Sequence, residues 1–165
     1  MPSRQPAGES RSSDRTVATN RRARHDFIIE ESFEVGMVLT GDEVKSLREG
    51  RAVLGDAYAR VDGNAVWIEN MHIPPYEMGD VRRHQSKRSR KLLLHREEIR
   101  RLVGKTAERG LTLIPLKIYF TRGLAKMELG LGRGKRQFEK RQALAEREHR
   151  REMERSFADR SAHRR

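Results

Sequence analysis

From Ile114 to Leu131 the chain alternates between apolar and mostly polar residues, and it reverses once, at Arg122-Gly123. Ile114, Leu116, Ile118 and Phe120 alternate with Pro115, Lys117 and Tyr119; Ala125, Met127, Leu129 and Leu131 then alternate with Lys126 and Glu128. A period of two places successive side chains on opposite faces, so the segment reads as two strands with a shared buried face. Pro115 cannot donate to a ladder and predicts an edge or a bulge. An isolated hairpin is marginal in water, so further strands must cover that face. Phe33, Val35, Met37 and Leu39 supply one, with Glu34, Gly36 and Val38 on the other side, which puts Glu34 on the outer surface. Asp56–Val61 and Ala65–Glu69 flank Asp62-Gly63-Asn64, a hairpin signal. About six strands are enough for a small closed antiparallel barrel.

Helices punctuate the strands. Gly41-Asp-Glu-Val-Lys-Ser-Leu-Arg48 reads as one short helix, with Asp42 as its cap, Glu43 at the positive end of its dipole and Gly50 as its stop. Val44 and Leu47 share one face, Lys45 and Arg48 another. A helix this short depends on packing, and a helix closing one end of a small barrel is the OB-type arrangement, which commonly serves nucleic acids. A second helix spans His95–Val103, stopped by Gly104. Residues 74–90, with Pro74-Pro75, Gly79 and many cations, read as a long loop.

The chain carries a net charge of +12, from 36 Lys and Arg against 24 Asp and Glu. That excess favours a polyanionic partner through phosphate contacts and counterion release. The absence of cysteine removes disulfides, thiolate zinc sites and cysteine nucleophiles. No apolar run is long enough for a membrane span and no apolar leader opens the chain, so a cytoplasmic protein is expected. Residues 1–19 hold too little apolar surface to offset their ordering entropy and are expected to be disordered. Residues 20–132 form the barrel. Residues 133–165, with twelve Lys or Arg against six Asp or Glu, form a basic tail. Phe138, Leu144, Met153 and Phe157 make no continuous apolar stripe, so the tail is expected to be disordered alone and to order along a polyanion.

The densest basic run is Arg82-Arg83-His84 with Lys87-Arg88-Ser89-Arg90-Lys91, followed at once by Leu92-Leu93-Leu94-His95. Arginine binds phosphate in a bidentate manner and stacks on bases. Aromatic residues are few, and most lie on strands where they read as core. Stacking of base after base along a single strand is thus poorly supported, and recognition of folded RNA by shape and backbone fits better. Asp26, Glu30, Glu31 and Glu34 alternate in direction along a strand, the six histidines show no ligand spacing, and Gly130, Gly132 and Gly134 sit in no phosphate-binding motif. No enzymatic constellation, cofactor site or metal site is expected.

Five runs, in order, resemble the small protein B family, the bacterial partners of transfer-messenger RNA in trans-translation. They are Asn20-Arg-Arg-Ala-Arg-His25, Phe33-Glu-Val-Gly36, Gly41–Arg48, Arg90-Lys-Leu-Leu-Leu-His95 and Gly134-Lys-Arg-Gln-Phe-Glu-Lys-Arg141, and the resemblance extends over about residues 20–150. The resemblance implies an OB-type barrel that holds the tRNA-like domain of that RNA, with one protein per RNA. It also implies a tail that replaces the codon–anticodon helix in the decoding centre of a stalled ribosome and fills the empty mRNA path. On this basis the residues facing the tRNA-like domain are Asn20, Glu34, Leu93 and His95, with the nearby cations Arg22, Arg24, Lys45, Arg48, Arg90 and Lys91. The tail residues are Gly134, Lys135, Arg136, Phe138, Lys140 and Arg141, with Phe157 placed at an apolar tail position. Asp42 replaces a usual threonine, and Gln85-Ser86 a usual Asp-Pro pair.

Two other classes fit parts of the pattern. A ribosomal or assembly protein also combines a barrel with a basic tail. A metal-dependent nuclease on the same scaffold would need Glu34 as a metal ligand.

Overall fold

In the computed structural model, which describes residues 15–108 and 110–162, the alternating segment forms β6 (Leu111–Thr121) and β7 (Leu124–Gly134). Their connection is the two-residue turn Arg122-Gly123, with φ of 50° and 77°. Two successive left-handed residues match the twist of the flanking strands. The other strands are β1 (Arg15–Thr19), β2 (Phe27–Met37), β3 (Tyr58–Asp62), β4 (Ala65–Glu69) and β5 (Arg90–Leu93). The order is β1-β6-β3-β4-β5-β2-β7, and β7 pairs back onto β6. Six antiparallel strands therefore close into a barrel, and β1 lies outside it as an added edge on β6.

The main core lies inside the barrel. Val35, Val66, Ile68, Leu92, Ile118, Met127 and Leu129 are buried there together. Leu47 joins from α2 (Gly41–Arg48), and Leu102 from α3 (Arg96–Thr106), which packs against β3 and β6. A second, smaller core lies outside and is made by two bulges. The β6–β7 register slips between Pro115 and Lys117, and the β2–β7 register slips between Ile29 and Glu31. One extra residue reverses which face a strand presents. Leu113 and Ile118 thus point into the barrel, while Ile114 and Leu116 point out and bury with Ala23, Phe27 and Ile29. That outer cluster anchors α1 (Arg21–Asp26), a helix that the basic run did not suggest.

The alternating glycines of β7 make room for this outer layer. A Cβ at Gly132 would lie 2.6 Å from the Ile28 carbonyl oxygen, and one at Gly130 would lie 3.1 Å from Leu116. Gly132→Ala is expected to destabilise the fold by about 1–3 kcal/mol. Gly134→Ala, which meets nothing within 4 Å, is the matched control. Urea unfolding of both variants checks the difference; equal midpoints would show that the outer layer gives way freely.

Five readings of the sequence need correction. Arg15–Thr19 lies in the segment expected to be disordered, yet it pairs along β6 from Arg15–Phe120 to Thr19–Lys117. Val17 and Ala18 pack against the main core and offset the polar ends of that strand. Residues 1–14 lie outside the described residues. The cap of α2 is Thr40 rather than Asp42: its Oγ1 accepts from the Glu43 N–H, and the Glu43 carboxylate accepts from the Thr40 N–H at 2.9 Å. Helix α3 passes through Gly104 to Thr106, whose Oγ1 donates to the Leu102 carbonyl. The tail forms α4 (Lys135–Ala162), which follows β7 with no intervening residue. Its side chains are largely exposed where described, as expected for a sequence of good helix formers without an apolar stripe. Trp67 and Tyr58, read as core aromatics, lie on the outer face of β4 and β3, and Tyr58 is exposed.

Candidate nucleic-acid interface

Strand β2 carries Glu34 and Gly36 on its outer face. Opposite them on β7 stand Glu128 and Lys126, and β5 places Leu93 on the far side of Gly36. Two carboxylates directly across a ladder repel unless cations intervene. Here Lys126 donates to Glu34 Oε1, the Tyr119 hydroxyl of β6 donates to Glu34 Oε2, and Lys117 pairs with Glu128 at 3.3 Å. The hydrogen bonds from Lys126 and Tyr119 outweigh desolvation and hold the Glu34 carboxyl below the usual carboxylate range. Its side chain is half exposed, so a fixed and ionised acceptor faces solvent.

An apolar shelf adjoins it. Leu93 and Leu124 are 51% and 63% exposed. They line a depression together with Gly36, Leu39, Val44 and the stem of Lys126. Gly36 keeps this floor low: a Cβ there would lie 3.2 Å from that of Leu93. Val44 belongs to α2, whose exposed Lys45 and Arg48 flank the same end of the barrel. The Lys45 ammonium lies 5.1 Å from the Tyr76 ring centroid, and the Arg48 guanidinium 6.0 Å from that of Phe120. His95 is exposed at the start of α3, and Lys91 is exposed opposite Trp67. The fold thus gathers Glu34, Leu93, Lys45 and Arg48 around one barrel end.

Two expected RNA-facing residues are inside the protein. Asn20 is 4% exposed; its Oδ1 accepts from the Ala23 N–H at 3.2 Å, while its Nδ2 donates to the Pro115 and Leu54 carbonyls. It caps α1 and ties it to the barrel. Arg90 is fully buried and donates to Glu43 at 2.8 Å, and also to the carbonyls of Met71, Arg88 and Ser86. Glu43, itself 1% exposed, also receives Arg88 through Nε at 2.9 Å. Burial pushes the Glu43 carboxyl up, but hydrogen bonds from Arg88, the Thr40 N–H and Arg90 prevail, so it lies below its ordinary value. Glu43 therefore joins α2, β5 and the basic loop, and Arg90 leaves the set of phosphate contacts. A basic run gave no sign that its last arginine points inward.

A second basic group lies at the opposite end of β2, where α1 meets the start of α4. Arg22, His25, Lys135 and Arg136 line a cleft there with Asp26 and Glu139, and Lys135 Nζ donates to the Arg24 carbonyl at 3.0 Å. About 20 Å of strand separates Phe27 from Glu34. Gly134 pairs with Phe27 as the last residue of β7, so it belongs to the barrel rather than to the tail. Arg141 borders a depression with Ile28, Glu30 and Arg133. The side chains of Phe138, Lys140 and Phe157 lie outside the described residues. The residues the sequence reading missed are Tyr119, Lys126, Lys117 and Leu124. The alternation had placed the first three on the face opposite the apolar one, without bringing them to Glu34.

Among the described residues no three His, Asp or Glu converge as a metal site, and no helix is long and apolar enough to cross a membrane.

Comparison with known proteins identifies the family. The family described as SmpB protein matches residues 17–159. An SsrA-binding protein of Thermobifida fusca is 57% identical over 143 residues, covering 87% of this chain and 89% of the relative. One of Bacillus cytotoxicus is 53% identical over 148 residues, covering 90% and 96%. A chain from a solved structure described as "tmRNA-SmpB: a journey to the center of the bacterial ribosome" superposes with a TM-score of 0.61 at 52% identity, over 71% of this chain and 82% of that one. A barrel with an outward acceptor at one end, a basic cleft at the other and this degree of identity together place the chain in the SmpB family of SsrA-binding proteins.

Proposed function

We propose that this protein is an RNA-binding adaptor of trans-translation in the cytoplasm. Its barrel binds the tRNA-like domain of transfer-messenger RNA, and its tail occupies the decoding centre and empty mRNA path of a stalled ribosome. The observation that carries this reading is the division of the molecule. A barrel with its own core presents Glu34, Leu93, Lys45 and Arg48 at one end, and a basic helix leaves the other end almost wholly exposed. Such a helix gains little from its own barrel and suits a polyanionic surface. The protein contributes positioning rather than bond-making, and the chemistry of peptide transfer belongs to the ribosome.

The test is binding of the purified protein to the tRNA-like domain at two salt concentrations, with elongator tRNA and a plain duplex as competitors. Truncation belongs after Gly134, because removal from residue 133 would cut the pairs Arg133–Ile28 and Gly134–Phe27. The truncated protein is expected to bind the tRNA-like domain within about threefold of the full chain, since the shelf and Glu34 remain. It is expected to lose all rescue of stalled ribosomes in a translation assay. Equal, steeply salt-dependent binding to all three RNAs would instead mark a ribosomal or assembly protein.

A further inference from the structure

We infer that Glu30 and Glu108 are positioning residues for the tail: by holding Arg133 beneath α4 they fix the angle at which that helix leaves the barrel. The inference rests on the reading of a tail in the decoding centre and deepens it by naming the side chains that direct the tail there.

The backbone at the root of α4 is fixed by the sheet, because Arg133 pairs with Ile28 of β2 on one side and with Leu111 of β6 on the other. What the sheet does not fix is the lean of the first helical turns. Their exposed Arg141, Gln142 and Ala145 line a depression whose barrel side is Ile28, Glu30 and Arg133. Arg133 is the long, flexible member of that support, and left to itself it would spread over many rotamers. Two carboxylates hold it. Its Nε donates to Glu30 Oε1 at 2.9 Å, and its Nη2 donates to Glu108 Oε2 at 3.3 Å. A planar guanidinium engaged at two points has its plane set, and α4 rests against a stem that no longer turns.

The bulge in β2 is what brings Glu30 to Arg133. Ile29 pairs with Gly132 and Glu31 with Leu131, so Glu30 is the extra residue. A bulge re-aims the side chain it carries. In a regular strand Glu30 and Glu31 would point to opposite faces. Here Glu31 accepts from Arg101 and Lys105 of α3, while Glu30 accepts from Arg133. Glu108 is placed by the turn after α3, where its N–H donates to the Lys105 carbonyl at 3.1 Å. The end of α3, the β2 bulge and the end of β7 thus meet at one guanidinium. Glu30, Arg133 and Glu108 all keep contact with water, so their ion pairs add little to stability. Two acids around one cation also make this side of the root unattractive to RNA, and leave RNA to the cleft of Arg22, Lys135 and Arg136.

The experiment uses the full chain with transfer-messenger RNA on purified stalled ribosomes. Because the chain has no cysteine, Glu152→Cys gives one attachment point on the tail for an iron chelate that cleaves nearby RNA. In this parent protein, cleavage of small-subunit RNA is expected to fall on a few positions. Glu30→Gln with Glu108→Gln is expected to weaken and spread that cleavage and to slow rescue roughly fivefold, while binding of the tRNA-like domain changes by less than about twofold. Its melting temperature should stay that of the parent. Arg133→Gln alone should do the same, and adding it to the double variant should do no more, since the three side chains act as one device. Asp62→Asn with Glu97→Gln removes as much negative charge elsewhere and should change neither cleavage nor rescue. Focused cleavage and full rescue in the Glu30 and Glu108 variant overturn the inference. So does a loss that tracks a lowered melting temperature, or one that the charge control shares. No focused cleavage from the parent protein would overturn the decoding-centre reading itself, and this inference with it.

Discussion

Glu43→Ala is expected to cost about 3–5 kcal/mol of unfolding free energy. Removing the carboxylate strands Arg90, which is fully buried and cannot turn to water. Arg88 is 29% exposed at its side chain and can reorient. The Thr40 N–H also loses its acceptor, and with it the reciprocal cap of α2. Urea unfolding with an unchanged slope measures the effect. Glu43→Leu combined with Arg90→Met is expected to recover most of the loss, because replacing both charges removes the stranded one. A double variant as unstable as Glu43→Ala would mean that the ion pair itself supplies the stability.

The same carboxylate gives a pH dependence. Its pKa in the folded protein lies below the ordinary value of 4.5, so the folded state holds the proton less tightly than the unfolded chain. Its contribution is complete above about pH 4.5 and is lost as pH falls through the folded value. Wild type should therefore lose stability on acidification over that range, and Glu43→Ala should lack that part of the slope. Parallel pH profiles would reject the assignment.

Asn20→Ala is expected to cost about 2–4 kcal/mol, from a lost helix cap and the loss of the amide hydrogen bonds to two carbonyls, of which that of Leu54 still accepts from the Ala57 N–H. Asn20→Asp separates the two parts: it keeps the acceptor for the Ala23 N–H but removes the donor to Pro115 and Leu54. Any loss of RNA binding in these variants should follow the loss of folded protein and vanish on cooling. A variant with a wild-type melting temperature and weakened RNA binding would show instead that Asn20 reaches the RNA.

The barrel was legible because its signals are local and periodic. The Arg122-Gly123 and Gly63-Asn64 turns, the Pro115 bulge and the outward Glu34 all follow from alternation and turn chemistry. Burial of polar residues was not legible, since it depends on partners far along the chain. Arg90 meets Glu43 across 47 positions, and Asn20 meets Pro115 across 95. In the sequence both look like members of basic surface runs. The short strand Arg15–Thr19 failed for a related reason, as its support comes from β6 and not from its own composition. The outer core was not legible because Ile114 and Leu116 alternate in step with Ile118 and Phe120, so alternation alone puts all four on one face, whereas the bulge after Pro115 turns the first two outward. Lys126 and Tyr119 were placed on the correct face. What was missing was the strand neighbour that brings them to Glu34.

The direct passage from β7 into α4 gives the tail a fixed gauge. Its 28 residues make a rod of about 40 Å when helical. With no loose residue at its root, the heading of the rod is set by the last pairs of β7. Adding one residue near Lys135 would swing every later side chain about 100° around the axis, whereas adding a full turn would keep their bearing and advance them about 5 Å. Reach and bearing at the far end are thus separately adjustable from a single point in the chain.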